Sequence, residues 1–310
     1  MKLGDNRNPP RRWFLRSAAG ALGSAFAIGA PRIAAAQIHP PDPAQPQLST
    51  FRSFAQQATD DQLLEQLSGE HLLYKMTFMG FIDAAETHLR IERGPQDNQL
   101  TATIDARARG LFGWLTGYRR EQQVSVMQLG LDPYTQRRRL ITVGLERSSK
   151  YNGSQTHSKH TLEYGSTRIW SYKEYDDGRL KNGRQTLIPP GVIYESLPSA
   201  LYNFRLGVYG PLKPGRSFEL QTIPFKGVDT FRLRVAEQEL LAQEQRWIAH
   251  TPGARWLAVI EINRKIYGIK AGQAQILVDS ALLPLAGKIN NALAFGNLET
   301  ELLNNPHNGK

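Results

Sequence analysis

Residues 85–92 read Ala-Glu-Thr-His-Leu-Arg-Ile-Glu, and residues 100–107 read Leu-Thr-Ala-Thr-Ile-Asp-Ala-Arg. In both stretches small or apolar side chains alternate with polar or charged ones. A period of two is typical of a strand with one buried face and one solvated face. We therefore predict two half-buried antiparallel strands here.

The same alternation recurs along most of the chain. Further strands are predicted over residues 72–78, 124–129, 138–146, 161–175, 216–224, 231–235, 256–263 and 273–278. Asp177-Gly178 and Asn182-Gly183 are hairpin signals, because these residue types tolerate the positive φ of tight turns. Ten or more strands joined by short turns predict a mainly β protein, with a large curled antiparallel sheet or open β-barrel and one or two packing helices. A single β-rich domain is predicted over residues 70–303, with a disordered tail over residues 304–310.

Few segments depart from the strand pattern. A helix is predicted within residues 50–69, which hold a capping box and a glycine stop. A second helix is predicted over residues 196–206, with Ser196 as its cap and Pro198 in its first turn. The apolar segment 110–117, which is punctuated by glycine, is predicted to be a loop or a single helical turn.

The first 36 residues resemble a twin-arginine export signal. Adjacent Arg11 and Arg12 precede a weakly apolar stretch rich in Ala and Gly, and Ala34 and Ala36 fit a cleavage site. The apolar stretch is shorter than the ~20 residues that a membrane-spanning helix needs. These features predict export by the twin-arginine translocase, cleavage near Ala36, and a periplasmic protein that is soluble after cleavage.

The charge of the chain is less informative than it first looks. The 310 residues include 38 Lys and Arg against 28 Asp and Glu, a formal charge of +10. Residues 1–36 hold six basic residues and one acidic residue, so half of the excess belongs to the predicted signal. Residues 37–49 hold four prolines and are predicted to be a tether. No nucleic-acid motif appears, so no nucleic acid is expected as a partner. The absence of cysteine excludes disulfides, thiolate metal sites and a cysteine nucleophile.

Three groups of short sequence motifs occur in a characteristic order over about residues 70–303. They are Leu73–Met76 with Gly80–Ile82, then Leu197–Tyr202 with Phe204–Leu206 and Pro211–Gly215, then Pro284-Leu285 with Phe295–Leu302. Together they resemble the exported bacterial family catalogued as domain of unknown function 3108. The resemblance implies a curled antiparallel sheet, in the manner of lipocalins or periplasmic lipoprotein carriers, and it lends no catalytic residues. The chain has Ala84 where that family often has glycine, and Glu195 where it often has Asp.

No catalytic or nucleotide-binding motif is present in the sequence. His157 and His160, followed by Glu163, are the densest group of metal-ligand types. Residues three apart on a strand point to opposite faces, so the two imidazoles are expected to diverge. The carboxylate pairs at residues 60–61 and 176–177 are assigned to helix capping and to a turn. No metal, cofactor or catalytic residue is therefore predicted.

Arg137, Arg138 and Arg139 form the densest basic run of the mature chain. One interpretation is contact with an anionic partner, such as phosphate, a lipid head group or an acidic polysaccharide. The other is a charged strand edge that deters pairing with a second sheet. Both interpretations stay open at this point.

Aromatic residues supply the candidate ligand-binding set. Its members are Trp114, Tyr164, Trp170, Tyr172, Tyr202 and Phe204. Three of them, Tyr164, Trp170 and Tyr172, share one parity on the strand predicted over residues 161–175. Such a set lines a ligand cavity or simply fills the core of a large sheet.

The leading hypothesis is a non-enzymatic periplasmic protein of the cell envelope that binds or carries a hydrophobic, lipid-like ligand. The ligand would lie between the curled sheet and the helix over residues 196–206, with residues 110–117 as a lid. A second hypothesis is an enzyme or accessory factor that acts on envelope polysaccharide. A third is a scaffold that docks another envelope protein. Fold alone does not choose among them.

Overall fold

The computed structural model describes residues 54–115, 117–225, 228–261, 272–293 and 296–304. The predicted signal over residues 1–36, the tether over residues 37–49 and nearly all of the predicted tail lie outside the described residues. Within the described ranges, no helix is long and apolar enough to cross a membrane.

One antiparallel sheet of 14 strands carries the fold, in the spatial order β8-β7-β6-β5-β4-β3-β2-β1-β14-β13-β12-β11-β10-β9. The strands are β1 His71–Phe78, β2 Ile82–Arg93, β3 Gln99–Ala108, β4 Arg120–Leu131, β5 Arg138–Tyr151, β6 Ser154–Glu163, β7 Ile169–Asp176, β8 Arg179–Leu187, β9 Ser217–Phe225, β10 Val228–Val235, β11 Trp256–Glu261, β12 Gln273–Val278, β13 Pro284–Leu293 and β14 Gly296–Leu302. Within each wing, β1–β8 and β9–β14, strands consecutive in the chain are antiparallel neighbours. The pairing of β1 with β14 joins the wings.

Five short helices accompany the sheet in the described part of the chain. They are α1 Asp60–Leu67, α2 Gly110–Leu115, α3 Leu197–Leu206, α4 Gln238–Gln243 and α5 Gln245–Ala249. The predicted mainly β fold with a large open sheet is confirmed. Helices α4 and α5 were not expected from the sequence, since at five or six residues each they are too short to show a helical period.

The sheet curls so that its two wings face each other. Ile223 of β9 packs in one apolar cluster with Leu162 of β6 and Trp170 of β7, from the far wing. The sheet is not closed by strand pairing, and β8 and β9 remain its edges. A single parallel bridge between Glu195 and Thr222 connects the segment before α3 to the β9 edge.

Helix α3 lies inside this curl and is buried on almost every side. Ser196 caps it as predicted, with a reciprocal bond to Ser199, and Gly207 ends it with a φ of 77°. Tyr202 packs with the residues of β1–β5, whereas Phe204 meets Phe218 of β9 edge-to-face at 5.1 Å. The helix therefore fills the space between the wings.

Burying α3 also buries polar side chains, which must be hydrogen-bonded. The amide of Asn203 acts as an additional pairing partner for β5. It accepts from the Leu140 N–H at 2.8 Å and donates to the Leu140 carbonyl at 2.9 Å. At the helix start, the Thr142 hydroxyl donates to Ser199 at 2.9 Å. These bonds fix the position of the helix along β5.

A buried ion-pair chain holds the start of the helix. Arg139 of β5 donates to Asp132 and to Glu195, and all three side chains are buried. Glu195 also accepts from Tyr209 at 2.6 Å and from Ser199. The second carboxylate oxygen of Asp132 accepts the backbone N–H of the following turn, at Tyr134 and Thr135. One guanidinium therefore ties a loop, a strand and the helix together.

A second ion pair holds the other end of α3. Arg205 donates to both oxygens of Glu70, at 2.8 Å each, and Tyr202 donates to the same carboxylate. Glu70 lies between α1 and β1, so the pair connects the interior helix to the start of the sheet. Both bonds come from one guanidinium nitrogen, Nη1, and they are charge-assisted, so they are stronger than bonds between neutral groups.

Two details of the predicted strands were wrong. Residues 161–175 do not form one strand, because a turn at residues 164–168 separates β6 from β7. Asn182-Gly183 is not a hairpin. It lies within β8, next to a bulge at which the register with β7 shifts by one residue. The true turns are Asn152-Gly153 and Asp177-Gly178, whose φ values are all positive.

The buried chain predicts a large asymmetry between neighbouring arginines. Arg139→Met would leave Glu195 and Asp132 buried without their cation, so we expect a loss of about 3–5 kcal/mol in the free energy of unfolding. Arg137→Met, on an exposed neighbour, should change it by less than about 0.5 kcal/mol. Urea denaturation of both variants measures the difference. Equal effects would contradict the assigned role of the Arg139 chain.

Candidate functional site

The six aromatic candidates do not form one group. Tyr164, Trp170 and Tyr172 pack together, with Trp170 and Tyr172 on β7 and Tyr164 in the turn between β6 and β7. The other three lie apart from these and from one another. Tyr202 belongs to the core cluster beside β1–β5, Phe204 to the core cluster beside β9–β12, and Trp114 is exposed on α2. The helix side chains that were expected to line a cavity thus fill the curl.

The three consecutive arginines point to different surroundings. Arg137 is exposed and donates to the Gly207 carbonyl at 2.8 Å, while Arg138 is half-buried and pairs with Asp60 at 2.8 Å. Arg139 is buried in the ion-pair chain. Of the three, only Arg137 is exposed, although all three were considered as one anionic-partner patch.

His157 and His160 lie on opposite faces of β6, as the spacing predicted. His157 faces outward, 3.9 Å from Glu146, where it helps to line an open cleft of about 460 Å³ with Gln155, Lys159 and Tyr175. His160 faces inward and is buried. The described residues contain no group of three or more His, Cys, Asp or Glu side chains that could hold a metal ion.

The inner face of β4–β8 becomes polar toward the end of the sheet where α2 lies. Strand register places Leu145, His160, Tyr172 and Arg184 side by side in one row across β5–β8. The next row toward α2 carries Gln123, Arg147, Ser158 and Glu174. We call Glu121, Arg147, His160, Tyr172 and Arg184 the inner cluster. Apart from His160, its members are half-buried or exposed, so the cluster is reachable from solvent.

His160 is the best-defined member of the inner cluster. The indole N–H of Trp170 donates to its Nδ1 at 3.2 Å, and the two rings are nearly parallel. A neutral imidazole carries one hydrogen, so that hydrogen lies on Nε2. Within the described part of the chain, this buried Nε2 has no hydrogen-bond partner. It points away from Trp170, on the opposite side of the ring.

Burial keeps His160 neutral. It lowers the pKa of the imidazole to about 3, and the positive charges of Arg147 and Arg184 act in the same direction. An unsatisfied buried donor costs about 1–3 kcal/mol. The arrangement therefore favours any group that supplies an acceptor oxygen at this position.

Arg184 forms the solvent side of the inner cluster. Its guanidinium stacks on Trp170 at 4.7 Å from the ring centre and on Tyr172 at 5.7 Å. Stacking of this kind leaves the edge of the guanidinium free for hydrogen bonds to an anion. Burial and the neighbouring Glu174 raise the pKa of the Tyr172 hydroxyl to about 12, so it stays a neutral donor.

Glu121 lies at the far side of the cluster, on β4. It accepts from Arg119 and, at 2.7 Å, from the Ser149 hydroxyl. Burial raises the pKa of this carboxyl above its usual range, against the opposing effect of the Arg119 guanidinium. The cluster thus combines cationic groups with one carboxyl group whose pKa is raised by burial.

The sequence analysis named two members of the inner cluster, Tyr172 and His160. It did not predict that arginine side chains surround them. Arg147 and Arg184 were not singled out, and β8 was not recognised as a strand. The strand parity of Leu145 and Arg147 would have placed Arg147 on the inner face. Without the register between β5 and β8, however, nothing brings Arg147 and Arg184 together.

Comparisons with known proteins add little. No family model and no curated protein matches the chain. One solved structure is similar, a β-barrel-like protein of domain of unknown function 1849 from Brucella abortus. It shares 8% sequence identity, and the alignment covers 76% of this chain and 96% of that one with a TM-score of 0.38. A similarity of this size supports no inference about function, and the resemblance to domain of unknown function 3108 depends on the sequence motifs alone.

The buried histidine predicts a specific pH dependence. The unfolded chain takes up a proton at His160 below the ordinary pKa of 6.5, whereas the native state does so only near pH 3. Stability should therefore fall as the pH drops through this window, by up to about 1.4 kcal/mol per pH unit. His160→Gln, which keeps an acceptor for Trp170, should flatten this slope.

Urea denaturation from pH 7 to pH 4 measures the slope. His157→Gln, on the opposite face of the same strand, controls for the loss of a histidine. Equal slopes in the wild type and in His160→Gln would contradict the buried neutral imidazole.

Proposed function

We propose that this protein is a non-enzymatic, periplasmic ligand-binding protein of the cell envelope, exported by the twin-arginine translocase. Its ligand is lipid-like, with a hydrophobic body and an anionic head group that binds at the inner cluster. The single observation that carries the proposal is the buried, unpartnered Nε2 donor of His160, with Arg147 and Arg184 beside it.

The head-group preference follows from the charges. Two guanidinium groups act on His160. Of the carboxyls at the cluster, Glu121 has a raised pKa, and Glu174 accepts from the Tyr172 hydroxyl at 3.0 Å. Charge-assisted hydrogen bonds from Arg to a carboxylate or phosphate are about twice as strong as neutral ones. An anionic oxygen between the arginines would also satisfy the His160 donor.

The hydrophobic part of the ligand is supported by the neighbouring side chains. Tyr164, Tyr172 and Val192 are only partly buried, and they flank the apolar cluster that contains Trp170 and Ile223. An acyl chain lying along this border would contact aromatic and aliphatic surface while its head group faces the arginines. Helix α3 fills the curl, so the proposed ligand lies on the inner face of strands β4–β8 and not around the helix.

A direct binding measurement tests the ligand class. We expect a fluorescent C18 fatty acid to bind more tightly than the alcohol of the same chain. Arg184→Gln and Arg147→Gln should each weaken the acid at least about tenfold, because each removes a charge-assisted bond worth about 1.5–3 kcal/mol. Arg179→Gln, an exposed arginine at the start of β8, is the matched control.

Native mass spectrometry of protein purified from the periplasm gives the second measurement. A bound lipid-like mass supports the proposal. A ligand-free mass together with equally weak binding of the acid and the alcohol would reject it. A co-purifying protein without any small molecule would favour the scaffold hypothesis instead.

The export route has its own test. Replacing Arg11 and Arg12 by Lys should leave the full-length chain in the cytoplasm, because the translocase reads the arginine pair as an address. Arg7→Lys is the control, and the wild-type periplasmic product should begin at Gln37. Cell fractionation with mass measurement checks both. Normal processing of the double variant would exclude the twin-arginine route.

A further inference from the structure

Exposed apolar side chains are concentrated at the end of the sheet where β1 meets β2 and β3 meets β4. In the β1–β2 turn, Met79 and Phe81 are 46% and 72% exposed. In and just after α2, Trp114 and Tyr118 are 67% and 66% exposed. We call these four residues the aromatic rim. Single exposed apolar residues are common, but four on adjacent turns form a patch that needs a reason.

Backbone contacts hold the two turns together. The Arg109 N–H donates to the Ala84 carbonyl at 2.9 Å, and Gly110 lies so close to the Asp83 carbonyl that a Cβ would approach it to 3.2 Å. The Tyr118 ring lies against Gly113 of α2. The rim is therefore a single surface, built from two segments that pack on each other.

The backbone at the rim is strained in a way that projects these side chains. Met79 and Tyr118 have φ values of 55° and 50°, a conformation that bulky residues rarely adopt. Glycine or asparagine would fit either position without strain. Strain of this kind persists where the surrounding structure enforces it, and it is concentrated at functional sites.

Three cations lie side by side next to the rim, in a row that continues to Glu86 of β2, opposite Arg107. On the outer face, Arg107 of β3 is opposite Arg120 of β4, and Arg120 is opposite Lys150 of β5. Like charges in directly opposite positions destabilise a sheet. Asp105 neutralises part of this row, with distances of 2.6 Å to Arg107 and 2.7 Å to Arg120. Lys150 is exposed at the end of the row.

We propose that the aromatic rim and this cation row form a docking surface for an anionic phospholipid bilayer. Aromatic side chains lie at head-group depth in membranes, and clustered Lys and Arg residues are attracted to anionic lipid surfaces. Arg107 is three residues before α2 and Arg120 is two residues after Tyr118, so the charges flank the apolar tips. A bilayer accepts separate protruding tips, whereas a stable protein partner requires a continuous interface of about 1,000 Å² or more.

This surface differs from the inner cluster, because the cation row lies on the outer face of β3–β5, whereas the inner cluster lies on the inner face of β4–β8. The docking surface therefore does not depend on the proposed ligand. It explains instead how a protein with a lipid-like ligand would be positioned against the membrane.

Vesicle co-sedimentation of the exported protein tests the proposal. We expect binding to vesicles of phosphatidylglycerol and phosphatidylethanolamine, little binding to phosphatidylcholine vesicles, and weaker binding at high salt. Phe81→Ser combined with Trp114→Ser should reduce binding at least about tenfold. Leu187→Ser, at an equally exposed position near the other end of the sheet, should leave it unchanged.

The charge contribution is tested separately. Arg107→Gln combined with Lys150→Gln should reduce binding to the anionic vesicles several-fold. Arg90→Gln combined with Lys213→Gln removes the same charge elsewhere and is the control. Thermal melts of all variants identify any that fail to fold, and blue-shifted tryptophan emission on binding, lost in Trp114→Phe, reports insertion without relying on the rim double variant.

The possible results separate this surface from the ligand site. Arg184→Gln should leave vesicle binding unchanged, even where it weakens the fatty acid. Binding that is equal on anionic and neutral vesicles, or equal in the rim variants and their controls, would overturn the proposal. So would binding of an acidic polysaccharide, but not of vesicles, through the same cations.

Discussion

The structure depends on one constraint, the burial inside a curled sheet of a helix that carries polar side chains. A sheet of this size must cover its inner face, and helix α3 covers it by packing against both wings. The helix brings Arg205 and Asn203 into the interior, and β5 brings Arg139. Each of these side chains would be costly if left unpaired. Their partners, Glu70, Leu140 and Glu195, therefore fix where the helix lies and how far the sheet can open.

Filling the curl with α3 determines where function can be located. The interior around the helix is apolar packing and buried ion pairs, with Tyr202 and Phe204 committed to the core. Strands β4–β8 extend beyond the helix toward α2, and there their inner face becomes polar. Leu145 gives way to Arg147 and then to Ser149 along β5, while Trp170 gives way to Tyr172 and Glu174 along β7. The polar side chains of the inner face that a ligand could reach therefore lie beyond the end of α3, and not around the helix.

Sequence reasoning captured what local patterns encode. The alternation of residues 85–92 and 100–107 predicts β2 and β3, and Ser196 with Pro198 predicts the start of α3. It failed where tertiary context decides. Asn182-Gly183 has the residue types of a hairpin turn. It nevertheless lies inside a strand, next to a bulge between Glu174 and Tyr175.

The candidate site shows the same division. The parity of β6 correctly separates His157 from His160, since a strand fixes which face each residue occupies. The sequence does not show that Glu195 would be buried beneath Arg139, because the two are 56 residues apart and meet only when α3 enters the curl. It also does not show that Arg147 and Arg184 would both act on His160, because three strand registers separate β5 from β8.

The composition of β8 agrees with its position at an open edge of the sheet. All nine residues of β8 are exposed, and they include Arg179, Lys181 and Arg184. Charged side chains on an edge strand deter pairing with another strand, which agrees with a sheet in which β8 and β9 are not paired. The other edge is covered at one point by the Glu195–Thr222 bridge. The residue that anchors α3 thus also protects the β9 edge, which leaves Arg184 at the open side of the curl, where a charged ligand can reach it.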